Sequence, residues 1–233
     1  MEWMIYAAAS SFTFALVSIL DKILISKHVD SGKVFVAAVG IAQIILGLFA
    51  VPMILGTTYS LWIVVVALLS GIFSGAYLVS MFIIMESQDV SRVVPVVSTY
   101  PVFVALLAFL FLGESVTYFS WICVLVTVAG AVLVSLAPSG SKSLETGVNL
   151  TAMTFLLLAS LSFGLSQFLS KTIAEEMTMG AQFMLRAIGG GMVCFSLALS
   201  KTVREGLVRV MKKPKSVGLI AFTEILLVFF AIL

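Results

Sequence analysis

The chain has 233 residues, of which 61% are hydrophobic and only 10% charged, and its mean hydropathy is +1.22. An ordinary soluble domain carries roughly 25% charged residues, and one of this length still exposes about a quarter to a third of its chain surface; a soluble enzyme and a disordered chain are both excluded. A formal net charge of +2 leaves no basis for general nucleic-acid binding.

A membrane helix needs about 20 apolar residues, because each residue rises 1.5 Å through a hydrocarbon layer about 30 Å thick. The charged positions cut the chain into such lengths. Eight spans are predicted, at 3–21, 33–55, 61–84, 93–112, 118–137, 149–170, 179–199 and 217–233. The fold class is therefore an all-α polytopic membrane protein. Strands are not expected, because the apolar runs are long and lack the alternation of a barrel.

The first span opens Met1-Glu2-Trp3 without a basic region and is followed by Asp21-Lys22, so it reads as a retained helix rather than a cleaved signal. The second and third spans share the uncharged stretch between Lys33 and Glu86, with Pro52, Gly56, Thr57 and Thr58 marking the turn. The fourth contains Pro95 and Pro101 around Ser98, Thr99 and Tyr100. Each proline removes a backbone donor and frees a carbonyl one turn earlier. Such a break can form a binding site, or it can be re-satisfied by Ser and Thr inside the bundle. Glu114 follows Gly113 between the fourth and fifth spans, where it would cap the next helix. The seventh span carries Arg186, with an anionic substrate or Glu175 or Glu176 as its partner, and is followed by the basic connection 201–215. Glu224 lies inside the last apolar run, where a charge costs about 2.5–3.5 kcal/mol on insertion scales. That cost favours a working carboxyl facing a cavity, with proton coupling or recognition of an amine as its role.

Eleven of the thirteen basic residues follow odd-numbered spans, among them Lys22, Lys27, Lys33, Arg92 and Lys142. The positive-inside rule puts those loops in the cytoplasm and the N-terminus outside. The expected location is a prokaryotic plasma membrane.

A shift of 149 residues superposes Ser11 on Ser160, Phe14 on Phe163, Leu16 on Leu165, Leu20 on Leu169, Lys22 on Lys171 and Gly40 on Gly189. The shift carries span one onto span six, and an offset of five spans, an odd number, would insert the second copy upside down. The expected organisation is a first five-helix repeat, 1–140, and an incomplete second one of three helices, 148–233. Inverted repeats suit alternating access around a midplane site.

The stretch 87–136 resembles the fourth and fifth spans of the EamA-type family, in the drug/metabolite transporter superfamily. The matching elements are Ser91-Arg92, Pro95, Pro101-Val102-Phe103, Leu112-Gly113-Glu114, Trp121 and Gly130. Lys22 and Lys171 match the basic residue that often ends the first span of each half, and Arg186 an arginine near the start of the second. The resemblance implies ten spans in two inverted halves and a central cavity. Against that pattern the chain looks truncated by two spans.

Two chemical readings compete. The first is a secondary transporter, an exporter of a small metabolite or drug-like solute. Its candidate substrate-binding residues are Ser98, Thr99, Tyr100, Pro101, Ser11, Ser162, Gln167, Arg186, Lys22 and Lys171, with Glu224 for proton coupling. Its partners are the lipid bilayer, a small-molecule substrate, and a second copy or missing C-terminal helices. The other is a non-transporting fragment or assembly partner. A membrane enzyme would need a nucleophile–base pair or metal ligands; one histidine, His28, and two distant cysteines, Cys123 and Cys194, do not supply them. No cofactor or metal is expected.

Overall fold

A computed structural model describes residues 2–54, 56–115, 117–136 and 150–232, and all regular structure there is helical. In chain order the helices are α1 (Glu2–Lys27), α2 (Gly32–Phe49), α3 (Leu61–Ser87), α4 (Val90–Val97), α5 (Tyr100–Leu112), α6 (Tyr118–Leu136), α7 (Leu150–Thr172), α8 (Met179–Ser196), α9 (Lys201–Met211) and α10 (Pro214–Ile232). Short 3₁₀ turns, Val51–Met53 and Leu197–Leu199, follow α2 and α8. Among the described residues, Ala8–Lys27, Gly32–Phe49, Leu61–Ser87, Val90–Leu112, Thr151–Thr172 and Met179–Leu199 are long and apolar enough to cross a bilayer. The fifth and eighth expected spans correspond to α6 and α10, each 19 residues long. The boundary between the two expected repeats, and Lys142, fall in 137–149, outside the described residues.

Local chemistry sets the ends. Ser31, Ser60 and Thr178 accept hydrogen bonds from the amides of Val34, Ile63 and Ala181, each at 3.4 Å, and so cap the starts of α2, α3 and α8. Gly113 ends α5 with φ 65°, a conformation that disfavours a side chain. Trp3, Trp62 and Trp121 all stand in the first turns of α1, α3 and α6.

Two elements differ from expectation. The first helix continues past Asp21-Lys22 to Lys27, because both charges find partners off their own helix, described below. The basic connection contains α9, whose Val203, Gly206, Leu207 and Val210 are buried at helical spacing. Its dense charge hides that apolar stripe from a reading based on uncharged runs.

α3 lies at the centre, packed chiefly against α8 and α7, while α2 packs on α8. Glycine makes these contacts possible. A Cβ on Gly40 would lie 2.8 Å from the Gly191 carbonyl, one on Gly75 would lie 2.6 Å from that of Gly190, and one on Gly71 would collide with the Arg186 backbone. Such backbone-to-backbone approach is how helices associate where lipid offers no hydrophobic drive. Opposite faces are apolar and exposed, as with Phe109, Leu110, Phe119, Leu125 and Val126.

Candidate functional site

Five helices bring polar groups to one buried place. Asp21 of α1 and Glu224 of α10 are only 5% and 6% exposed. The Thr223 hydroxyl, which donates to Ile220 O at 3.0 Å, lies beside the Asp21 side chain, and Gln43 of α2 lies beside that of Glu224. The two carboxyls lie within electrostatic reach of each other, Tyr77 of α3 feels Asp21, and Cys194 of α8 feels Glu224. Tyr77 stacks on Phe163 of α7 at 4.5 Å, and Tyr100 of α5 meets the same ring edge-on at 4.6 Å.

Asp21, Gln43 and Tyr77 were not among the sequence candidates. Asp21 precedes Lys22 and reads as part of a charged helix end; only the extension of α1 to Lys27 places it inside a span. Gln43 is a neutral residue in an apolar run, and its isolation there was the available signal.

The remaining candidates fall elsewhere. Lys22 donates to the carbonyls of Met85 and Gln88 at the end of α3, so its charge serves a neighbouring helix terminus. Lys171 ends α7 and pairs with Glu114 at 2.7 Å, which makes Glu114 a salt-bridge partner rather than the cap of the next helix. The break between α4 and α5 falls at Ser98-Thr99, and Pro101 sits in the first turn of α5. The Thr99 hydroxyl donates to the Val96 carbonyl at 2.7 Å and lies 3.0 Å from that of Ser160, tying the break to α7. Ser162 donates to Phe73 O at 2.8 Å and Ser70 to Ser166 O at 3.0 Å, both as links between α3 and α7. Ser11 is exposed.

Arg186 does not pair with Glu175 or Glu176. Its guanidinium donates to Ser170, Ser166 and Gln167 of α7 at 2.9, 3.2 and 3.3 Å, all neutral oxygens. One turn nearer the helix start, Gln182 donates to Ser170 O at 2.8 Å and lines an open depression of about 720 Å³. Its other walls include Thr57, Tyr59, Glu175, Glu176 and Thr178. Tyr59 lies in the connection before α3, and hydrogen bonds first from Thr178 and then from Thr57 hold its phenol below the ordinary range. The polar surface thus runs from this mouth by Gln182 to Arg186. Among the described residues no group of three or more metal-ligating side chains converges.

No curated protein matches the chain significantly. A family model does match, over residues 1–136, more than half of the sequence: that of the EamA-like transporter family. With six helices among the described residues long and apolar enough to cross a bilayer, and with this match, the chain is an integral membrane protein and belongs to the EamA-like transporter family, within the drug/metabolite transporter superfamily.

Proposed function

We propose that the protein is a secondary transporter that exports a small metabolite or drug-like solute by alternating access. The observation that carries this reading is the Asp21–Glu224 cluster: two carboxyls, an amide, a phenol and a hydroxyl, supplied by α1, α2, α3 and α10 to a place buried from lipid and water. Burying such groups without use is costly. Glu224 takes the proton-coupling role with Asp21 as its partner. Tyr100 and Arg186 are the better supported substrate contacts, Arg186 because its partners, Gln167 among them, are neutral oxygens that leave its charge unmatched. Thr99, Ser162, Lys22 and Lys171 are already engaged within the chain and would have to surrender those bonds to bind a ligand.

The packing supports two inverted halves, 1–140 and 148–233. If α1, α2 and α3 correspond to α7, α8 and α10, then α3 against α7 and α8 has its counterpart in α10 against α1 and α2, and both sets of contacts occur. The basic loops face the cytoplasm on this reading.

Flux in proteoliposomes tests the proposal. Purified protein should carry a pool of candidate solutes saturably, with a rate that depends on pH. Glu224→Gln, which keeps the shape and removes the titration, should flatten that dependence by roughly tenfold or more across the active range, the scale of a proton-transfer group. A profile unchanged in both Glu224→Gln and Asp21→Asn would remove the pair from coupling.

A further inference from the structure

Helix α9 and the residues after it have no place in the transport cycle just proposed, and their surface has an unusual composition. Around α9 the residues fall on three sides. Val203, Gly206, Leu207 and Val210 face the bundle, and Gly206 rests directly on Val34 of α2. Arg209, on a second side, is held by Asp30 at 2.7 Å and ties α9 to the α1–α2 connection. A third, exposed stripe, Lys201, Arg204, Val208 and Met211, follows helical i, i+3, i+7, i+10 spacing; Val208 and Met211 are 48% and 58% accessible, and the exposed Glu205 at its edge pairs with Lys201 at 4.0 Å. Leu199, 86% exposed, extends the stripe backwards, and Lys212, Lys213 and Lys215 extend it forwards. Among the described residues, the side chains of Arg204, Lys212, Lys213 and Lys215 have no hydrogen bond or ion pair.

The position of this surface is fixed by its neighbours. The preceding span ends at Leu199 and α10 begins at Pro214, so α9 has to lie where the bilayer meets water. There, apolar side chains reach the acyl boundary while long basic ones reach the phosphates. We infer that the exposed stripe of α9 with Lys212, Lys213 and Lys215 is a docking surface for anionic phospholipid headgroups. Four unpaired cations match their charge, and Leu199, Val208 and Met211 match the chains beneath. The inference needs only the membrane reading; the proposed orientation decides which leaflet is meant, and failure of the transport proposal would leave it standing.

A tryptophan at Val208 tests it. The native tryptophans all lie in the first turns of α1, α3 and α6, at the other end of the spans from α9, and their emission is subtracted with the unmodified protein. Val208→Trp protein is placed in vesicles of phosphatidylcholine and phosphatidylglycerol in which one lipid or the other carries brominated chains. Bromine on phosphatidylglycerol should quench the added residue several-fold more per lipid than bromine on phosphatidylcholine, since each basic side chain near an anionic surface is worth roughly a fivefold preference. That excess should fall towards one in the combined Arg204→Gln, Lys212→Gln, Lys213→Gln, Lys215→Gln background. Equal quenching by the two lipids, or an excess that survives loss of the four charges, overturns the assignment; survival would point instead to another lipid contact or a bound protein. Should the charge-neutral variant fail to assemble, salt decides with Val208→Trp alone. The Debye length shrinks from about 10 Å at 0.1 M to about 3 Å at 1 M, so an excess unmoved by that change also overturns it.

Discussion

Thr99 shows how one hydroxyl stabilises a broken helix. It closes on the carbonyl of Val96 and reaches Ser160 across the helix boundary. Thr99→Val should lose both bonds and cost about 1–2 kcal/mol, seen as a melting temperature in detergent lower by roughly 2–8 °C. The Lys171–Glu114 pair makes a contrast. It is as short as an ion pair usually is, but its side chains are 46% and 45% exposed. A double-mutant cycle of Lys171→Met and Glu114→Gln, read by the same melts, should give a coupling below about 1 kcal/mol. Residues of this second kind were visible in the sequence because charges stand out in an apolar chain. Asp21 stood out equally, but its meaning was set by which helix holds its neighbour. Lys22 binds the end of α3 and so lets α1 continue, and that requires contacts sixty residues away in sequence.

Elements were legible wherever charge and proline punctuate. The gaps between charged positions gave the number of spans, and Pro95 and Pro101 bracket the observed break at Ser98-Thr99. What the spacing of charges cannot give is which helices touch. That depends on glycine: Gly40, Gly71 and Gly75 lie against backbone, whereas Gly130 and Gly218 have open space beside them. Gly75→Val should therefore separate α3 from α8 and cost well above the usual 1–3 kcal/mol of overpacking, since the obstacle is main chain. Gly130→Ala and Gly218→Ala should be neutral or slightly stabilising through helix propensity. Yield of monodisperse protein and its melting temperature measure the difference. Equal behaviour of Gly75→Val and Gly130→Ala would mean that α3 and α8 do not meet along this seam.

At the scale of the molecule the chain is a stack of antiparallel helices whose polar content is concentrated in a few places. Asp21 and Glu224 are buried where α1 meets α10, Gln182 and Arg186 lead from the mouth lined by Tyr59, and the basic surface of α9 lies on the exposed side of the connection before α10. The orientation argument rests on eleven basic residues on one side, six of them in 201–215. A phosphatase fused after Lys215 should be inactive and a cytoplasmic reporter there active; the opposite result would invert the proposed topology. The carboxyl pair was half legible. Glu224 announced itself by the cost of a charge in an apolar run, but its partner could be recognised only once α10 was laid beside α1.

The three tryptophans give the molecule a polarity of another kind. In the proposed topology α1, α3 and α6 all begin at the same membrane face, so the intrinsic tryptophan emission is expected to originate near that face. The protein carries a built-in optical label for its own sidedness. In sealed vesicles of uniform insertion, a membrane-impermeant quencher will dim the emission from one compartment and leave it bright from the other. Any rearrangement that shields or bares the mouth near Tyr59 will be seen from the first compartment only.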